Sequence, residues 1–183
     1  RLKTTKIEES KGASLVFCWD THLTKIKGRN VLFIVNASNR YTIAMTDIEP
    51  RNWNYYAMYI IRVIHGMMQE MGYSEEQIEQ YFKMSGDTTI TKTHGRKSVG
   101  GINRMVMDAQ YFGKKLEKEA KYQWELSEYL NRDICQPEGF DAYGYPNELF
   151  KLDMERLGIA TKRKPAKVID FAQYIENNRG TNH

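Results

Sequence analysis

The chain has 183 residues, a length that allows one domain with its own core and leaves little room for a second. Lysine and arginine outnumber aspartate and glutamate by 27 to 23, a formal charge of +4. This charge permits contact with nucleic acid but is small for a dedicated nucleic-acid binder. We expect residues 1–176 to form a single domain and residues 177–183 to form a flexible tail.

The cysteines and the hydropathy pattern exclude several other classes of protein. The two cysteines form no Cys-x-x-Cys pair, which argues against a disulfide scaffold and against a zinc knuckle. No apolar run approaches the roughly 18 residues of a membrane span, and the first residues lack the apolar core of a signal peptide. We therefore expect a cytoplasmic protein that does not cross a membrane.

The first third of the chain alternates β-branched and aromatic runs with turn signals. Strands are predicted at 14–19, 31–35 and 40–45. Turns are predicted at 27–30 and 36–39. Short turns between neighbouring strands favour an antiparallel meander.

From residue 53 the apolar spacing changes to three and four, which predicts a helix that ends at Gly72. Ser74 with Gln77 three positions later predicts a capping box at the start of a second helix. Helical spacing returns over 102–112 and continues over 114–132.

Three further elements complete the prediction. Residues 87–93 are rich in β-formers and indicate one more strand. Pro146 marks the first turn of another helix, and residues 167–175 form a last strand or helix. Strands followed mostly by helices predict an α+β fold, in which the helices pack on an antiparallel sheet.

The most function-like stretch is the basic, polar run at 91–98, where a predicted strand leads into a helix. Free N–H groups at a helix start add positive potential, so such a corner can hold a phosphate. A ribonuclease without a metal needs an acid or base, typically histidine, and a cation for the phosphate. We predict His94 and Arg96 in these two roles. The predicted phosphate-binding residues beside them are Lys92, Thr93 and Lys97.

A simpler interpretation of the same run stays open. Thr93 and Ser98 would only cap the helix, and Arg96 and Lys97 would be solvated.

His22 is the second candidate catalytic residue. Asp20 and His22 are two residues apart on a predicted strand end, so they share a face and Asp20 could orient the imidazole. Lys6 and Lys25, on the same N-terminal hairpins, are predicted to contact RNA phosphates. The alternative is an ordinary surface turn, because Asp and His are common in turns.

No motif in the sequence indicates a metal or a cofactor. There is no Walker lysine loop, no His-x-x-x-His pair, and the aspartates are scattered along the chain. We expect no metal and no cofactor. The nine methionines are interpreted as core-filling residues, with an adaptable protein-binding face as the alternative.

Several short motifs follow one another along residues 1–155. They are Thr4-Thr5-Lys6, Trp19 with His22, Asn36, Asn39-Arg40-Tyr41, Thr91-Lys92-Thr93 with Arg96 and Ser98, Asn103, and Tyr145 to Leu149. In this order they resemble a bacterial and mobile-element family of domains of unknown function, which as a whole implies no activity. Members of that family often have a cysteine where this chain has Thr4, so a thiol-dependent role at the N-terminus is not expected.

The sequence is also similar to an anti-CRISPR protein of streptococcal mobile elements, one that acts on a type II-A effector and leads to shortening of its guide RNA. The similarity implies a cytoplasmic protein in a bacterial host cell, with a type II-A CRISPR effector and its guide RNA as partner. It also implies that this chain is a ribonuclease or an inducer of guide-RNA cleavage. Two alternatives stay open, a non-enzymatic interaction module that blocks the effector and an RNA-binding protein of a mobile element, and homo-oligomerisation is open as well.

Overall fold

The computed structural model of the protein describes residues 12, 14–48, 55–91 and 95–161. Within these ranges three strands precede five α-helices, which is the predicted α+β fold. In chain order the elements are β1 Trp19–Ile26, β2 Arg29–Asn36, β3 Thr42–Thr46, α1 Tyr56–Glu70, α2 Glu75–Ser85, α3 Gly95–Gln110, α4 Trp124–Asn131 and α5 Pro146–Arg156.

The three strands form an antiparallel sheet in the order β1-β2-β3. Lys27 and Gly28 connect β1 to β2, and both have positive φ, 49° and 83°. Two central residues with positive φ form the hairpin turn whose twist matches that of the strands. The predicted meander is confirmed.

The sheet is a central layer that helices cover on both faces. Leu32 and Ile34 of β2 pack on one face against residues of α1, α2 and α5. Phe33, between them, points to the other face and packs against residues of α3 and α4. Because both faces are covered, β2 is apolar at five consecutive positions, 31–35, instead of alternating.

Two predicted helix starts are confirmed in detail. The side chain of Ser74 accepts a hydrogen bond from the backbone N–H of Gln77, and the Gln77 side chain accepts one from the Ser74 N–H, which is a complete capping box. Pro146 occupies the first turn of α5. Among the described residues no helix is both long enough and apolar enough to cross a bilayer.

The strand predicted at 14–19 is wrong. Leu15–Phe17 form a 3₁₀ turn, and β1 begins only at Trp19. The carbonyl oxygen of Val16 accepts hydrogen bonds from the Asn36 side chain at 2.8 Å and from the Tyr81 hydroxyl at 2.7 Å. Tertiary hydrogen bonds therefore replace the strand ladder that the β-branched residues would favour.

The helix predicted over 114–132 is wrong in its first half, since α4 covers only Trp124–Asn131. The N–H of Thr46 donates to the carbonyl of Lys121 at 2.7 Å, and the N–H of Gln123 donates to the carbonyl of Ala44 at 2.9 Å. The backbone ahead of α4 therefore bonds to the outer edge of β3 and not to its own next turn.

The strand predicted at 87–93 is not formed at residues 87–90, which are exposed, and Thr91 forms only a single β-bridge. β-propensity alone does not form a strand without a partner on a half-buried surface. Several predictions lie outside the described residues. They are the strand residues 92–93, the helix start at 53, the element at 167–175, the domain boundary at 176 and the tail at 177–183.

Gly139 is expected to tolerate no side chain. A Cβ at this position would lie 2.7 Å from the carbonyl oxygen and 3.0 Å from the Cα of buried Ser38. Gly139→Ala should therefore lower the free energy of unfolding by about 1–3 kcal/mol, measured by urea denaturation. The control is Gly66→Ala in α1, where a Cβ would meet nothing within 4 Å; it should raise stability by about 0.5–1 kcal/mol. Equal midpoints for the two variants would contradict the contact.

Candidate phosphate-contact site

The start of α3 is held at the start of β1 by a polar contact. The Ser98 hydroxyl donates a hydrogen bond to Oδ2 of Asp20 at 2.5 Å, and Asp20 is buried. At the other end of the helix, Nε2 of Gln110 donates to the carbonyl oxygen of Lys25 at 3.0 Å. The helix therefore lies alongside β1, with its first turn at the beginning of the strand.

His22 lies on the face of β1 that α3 covers. Side chains two apart on a strand share a face, so Asp20, His22 and Ile26 point the same way. Ile26 packs in one cluster with Ile102 and Met105 of α3, which identifies that face. His22 is half-buried there, and within the described residues no hydrogen bond joins it to Asp20.

Arg96 and Lys97 lie in the first turn of α3, just before Ser98, and both are exposed. Ser98 contacts Asp20, which is two residues from His22 on the same strand face. The fold therefore brings the start of α3 and the histidine of β1 to one corner. Arg96 and His22 are 74 positions apart in the sequence.

Lys25 is not part of this corner. It is an odd-numbered residue of β1 and so points away from the face that carries His22. Its backbone contacts Gln110, twelve residues beyond Ser98 along α3, which corresponds to about 18 Å of helix.

Four of the predicted site residues lie outside the described residues. They are Lys6, Lys92, Thr93 and His94. Their roles as phosphate contacts and as acid or base stay predictions.

The exposed face of α3 continues from this corner as a basic surface with a glycine at its centre. Residues three and four apart in a helix are neighbours, so Arg96 and Lys97 lie one turn before Gly100, and Asn103 and Arg104 lie one turn after it. All five positions are exposed. We call these residues the α3 basic face.

Gly100 has no structural reason to be a glycine. A Cβ there would meet nothing within 4 Å, and glycine inside a helix costs about 0.5–1 kcal/mol relative to alanine. The next residue differs, because a Cβ on Gly101 would lie 3.4 Å from Nε of Arg40, whose guanidinium also donates to the Gly101 carbonyl at 2.9 Å. The missing side chain at Gly100 leaves room for the backbone of a partner molecule.

Among the described residues, the acid that pairs with this face is Asp108, and it neutralises the face only weakly. Arg104 forms an ion pair with Asp108 at 3.1 Å, one turn further along, and the Arg104 side chain stays 70% exposed. Exposed pairs of this kind contribute about 0.3–0.5 kcal/mol, so a phosphate can compete for the guanidinium.

A family model for a domain of unknown function, DUF6933, matches residues 1–149. This is well over half of the 183 residues. The chain belongs to the DUF6933 family. No match was found among curated proteins or among solved structures.

Some motif residues of this DUF6933 chain have a structural role that the contacts explain. Asn39 donates from Nδ2 to Oδ2 of Asp153 at 2.9 Å, and its Oδ1 accepts from the N–H of Tyr41 at 2.9 Å. Burial raises the pKa of the Asp153 carboxyl, while the hydrogen bonds from Asn39 and Ser38 lower it. The asparagine motifs therefore stabilise the β2–β3 connection, whereas no comparable contact to a described residue requires Arg96 or Lys97.

Neither cysteine is a promising nucleophile in this fold. Cys18 and Cys135 are both buried and unpaired. Burial raises the pKa of each thiol, and the Arg40 guanidinium opposes this only at Cys135. Within the described ranges no group of three or more His, Cys, Asp or Glu side chains could hold a metal ion.

Sequence reasoning missed two features of the site. Ser98 was interpreted as a helix cap, yet its hydroxyl contacts Asp20, 78 positions earlier. Gly100 carried no functional prediction, although an exposed glycine between two basic turns of a helix is itself a usable signal.

Proposed function

We propose that this protein inhibits a type II-A CRISPR effector by causing effector-dependent truncation of its guide RNA. The effector as partner follows from the sequence similarity to an anti-CRISPR protein. The observation that supports contact with RNA is the hydrogen bond between Ser98 and Asp20, because it holds the first turn of α3, with Arg96 and Lys97, at the strand that carries His22. A guide RNA held in its effector presents phosphates and 2′-hydroxyl groups to such a surface.

Cleavage of RNA at this corner needs no metal. The 2′-oxygen attacks the phosphorus and the 5′-oxygen leaves, so a base removes the proton of the 2′-hydroxyl and an acid donates a proton to the leaving oxygen. His22 and His94 take these two roles in the proposal. Arg96 and Lys97 stabilise the extra negative charge that develops on the phosphate.

The test combines effector, guide RNA and this protein and resolves the RNA on a denaturing gel, with and without EDTA. We expect a shortened guide only when all three components are present, and the same product with EDTA. A guide RNA of unchanged length would refute the proposal. A shortened guide that no longer forms in the presence of EDTA would refute the metal-free mechanism.

His22→Ala and His94→Ala are each expected to slow truncation by about 100-fold or more, as for the loss of a general acid or base. Truncation at the wild-type rate in both variants would show that the catalytic assignment is wrong.

The α3 basic face is tested by a matched pair of glycine variants. Gly100→Leu should weaken guide truncation because its side chain prevents the close approach of the RNA backbone. Gly66→Leu adds the same side chain to α1, where a Cβ also meets nothing within 4 Å, and should leave truncation unchanged. Equal activities of the two variants would remove the α3 basic face from the proposal.

A non-enzymatic module that blocks the effector is the second candidate function. Tyr55 and Met58 are 74% and 55% exposed and lie three positions apart at the start of α1, where they form a small apolar surface. Most of the other methionines in the described residues fill the core instead. This candidate predicts inhibition of target cleavage with an intact guide, and loss of that inhibition in Tyr55→Ala/Met58→Ala but not in His22→Ala.

A further inference from the structure

The segment that follows α3, residues 111–121, crosses the end of the sheet that carries the β1–β2 turn. Nζ of Lys27 donates to the carbonyl oxygen of Lys114 at 2.7 Å. Nη1 of Arg29 donates to the carbonyl oxygen of Glu117 at 2.8 Å. Two cations of the hairpin are thus used to hold the backbone of this segment in place.

An exposed aromatic ring follows α3 at the point where the helix contacts the backbone of Lys25. Gln110, whose side chain bonds to the Lys25 carbonyl, is followed directly by Tyr111. Tyr111 is 79% exposed, and within the described residues its ring forms no aromatic or cation–π contact. An exposed tyrosine beside lysines is the usual arrangement of a stacking platform for an unpaired base.

The segment 111–121 carries exposed cations as well as that ring. Three of its exposed lysines have no hydrogen bond or ion pair from their side chains to any described residue. Together with Tyr111 we call them the hairpin-end surface; they are Lys115, Lys118 and Lys121.

The acids of the same region only partly offset these lysines. Glu125 is paired with Lys114 at 2.6 Å, and Asp47 is paired with Arg29 at 2.5 Å. Both acids are therefore matched by cations that are not counted in the surface. The exposed acids that remain within the segment are Glu117 and Glu119.

The composition of the surface favours a nucleic acid over a protein. Interfaces between proteins are depleted of lysine and enriched in arginine, whereas the unpaired cations here are all lysines. Lysine binds phosphate as a mobile point charge, and a base can stack on the tyrosine. Stacking requires a base that is not already paired, so the ligand is a single strand.

We propose that the hairpin-end surface binds single-stranded nucleic acid, with Lys115 and Lys118 on the phosphates and Tyr111 against a base. The surface is separate from the α3 basic face, because residues 111–121 follow the end of α3 opposite Arg96. Only the choice of RNA as the natural ligand of this surface rests on the proposed function.

The test measures fluorescence anisotropy of labelled oligouridine, oligothymidine and a duplex, each about 15 nucleotides long, at about 50 and 200 mM salt. We expect the single strands to bind more tightly than the duplex, with an affinity that falls as salt rises. Tighter oligouridine than oligothymidine binding would support RNA as the ligand. Absence of binding at the lower salt concentration, or tighter binding of the duplex, would overturn the inference.

Two variants separate the ring from the charges. Tyr111→Ala should weaken single-strand binding by about five- to 100-fold. Lys115→Ala/Lys118→Ala should weaken it by about tenfold and reduce the slope of log affinity against log salt by about 0.7 for each lost phosphate contact.

The matched controls are Tyr143→Ala and Arg62→Ala/Lys83→Ala. Tyr143 is 70% exposed in the loop before α5, and the double variant makes the same charge change on α1 and α2. These controls should bind oligouridine as the wild type does. Equal losses in controls and test variants would overturn the inference, since only net charge would then matter.

The two proposals fail in different ways. An unchanged guide RNA together with normal oligouridine binding refutes the proposed function and leaves the hairpin-end surface. The opposite result is guide truncation with oligouridine binding that neither Tyr111→Ala nor Lys115→Ala/Lys118→Ala weakens. That result refutes the hairpin-end surface and leaves the proposed function.

Discussion

Phe150→Ala is expected to lower the free energy of unfolding by about 3–5 kcal/mol, the usual cost of removing a buried phenylalanine ring. Phe150 is fully buried on α5. Its ring centre lies 5.4 Å from that of Tyr41, and 6.2 Å from those of Trp19 and Tyr73. The cavity would therefore open between α5 and the sheet, where three aromatic side chains cannot all move to fill it.

Thermal unfolding followed by circular dichroism measures this effect, and a midpoint about 10 °C below the wild type is expected for a chain of this length. Leu152→Ala is the matched control, because Leu152 lies on the same helix and is 44% exposed. It should change stability by only about 0.5 kcal/mol. A midpoint for Phe150→Ala close to that of Leu152→Ala would show that α5 does not pack on the sheet as described.

The sequence was sufficient where hydrophobic period and local capping agree. α1 follows from apolar spacing of three and four, and α2 follows from the Ser74 capping box. These signals act within a few residues, and in α1 and α2 the tertiary contacts agree with them. The turn at Lys27 and Gly28 is equally local, since the turn residues alone determine the hairpin.

Prediction failed where a distant group binds the backbone. Residues ahead of α4 have good helical composition, yet the Gln123 side chain accepts from the N–H of Glu117 at 2.8 Å and donates to its carbonyl at 3.0 Å. Gln123 also donates to the hydroxyl of Thr46 on β3 at 3.0 Å. These hydrogen bonds depend on where β3 lies, which no local pattern encodes.

The difference between local signals and distant contacts also explains how much of the candidate site could be predicted. Residue type and position in the chain identified Arg96, Lys97 and His22 as candidates. Their proximity depends on the hydrogen bond from Ser98 to Asp20, which exists only once α3 lies along β1. Sequence reasoning grouped Lys25 with His22 because they are close in sequence, although strand alternation puts them on opposite faces.

Asn36→Ala is expected to destabilise the protein by about 3 kcal/mol or more. Asn36 is fully buried, its Nδ2 donates to the carbonyl of Val16 at 2.8 Å, and its Oδ1 accepts from the N–H groups of Ser38 and Asn39 at 3.0 and 3.3 Å. Alanine leaves both N–H groups buried without a partner, at about 1–3 kcal/mol each. The Val16 carbonyl keeps its second hydrogen bond, from the Tyr81 hydroxyl.

Urea denaturation measures the loss, and amide hydrogen exchange at Ser38 and Asn39 should become faster than elsewhere in the sheet. Asn103→Ala, at an exposed position of α3, is the control and should change stability by about 0.5 kcal/mol or less. Asn36 is a motif residue of the family resemblance, so the variant also separates structural from functional motifs. Because the contacts of Asn36 are internal, guide truncation per folded molecule should be unchanged; a loss of activity in a variant that stays fully folded would place Asn36 in the functional site instead.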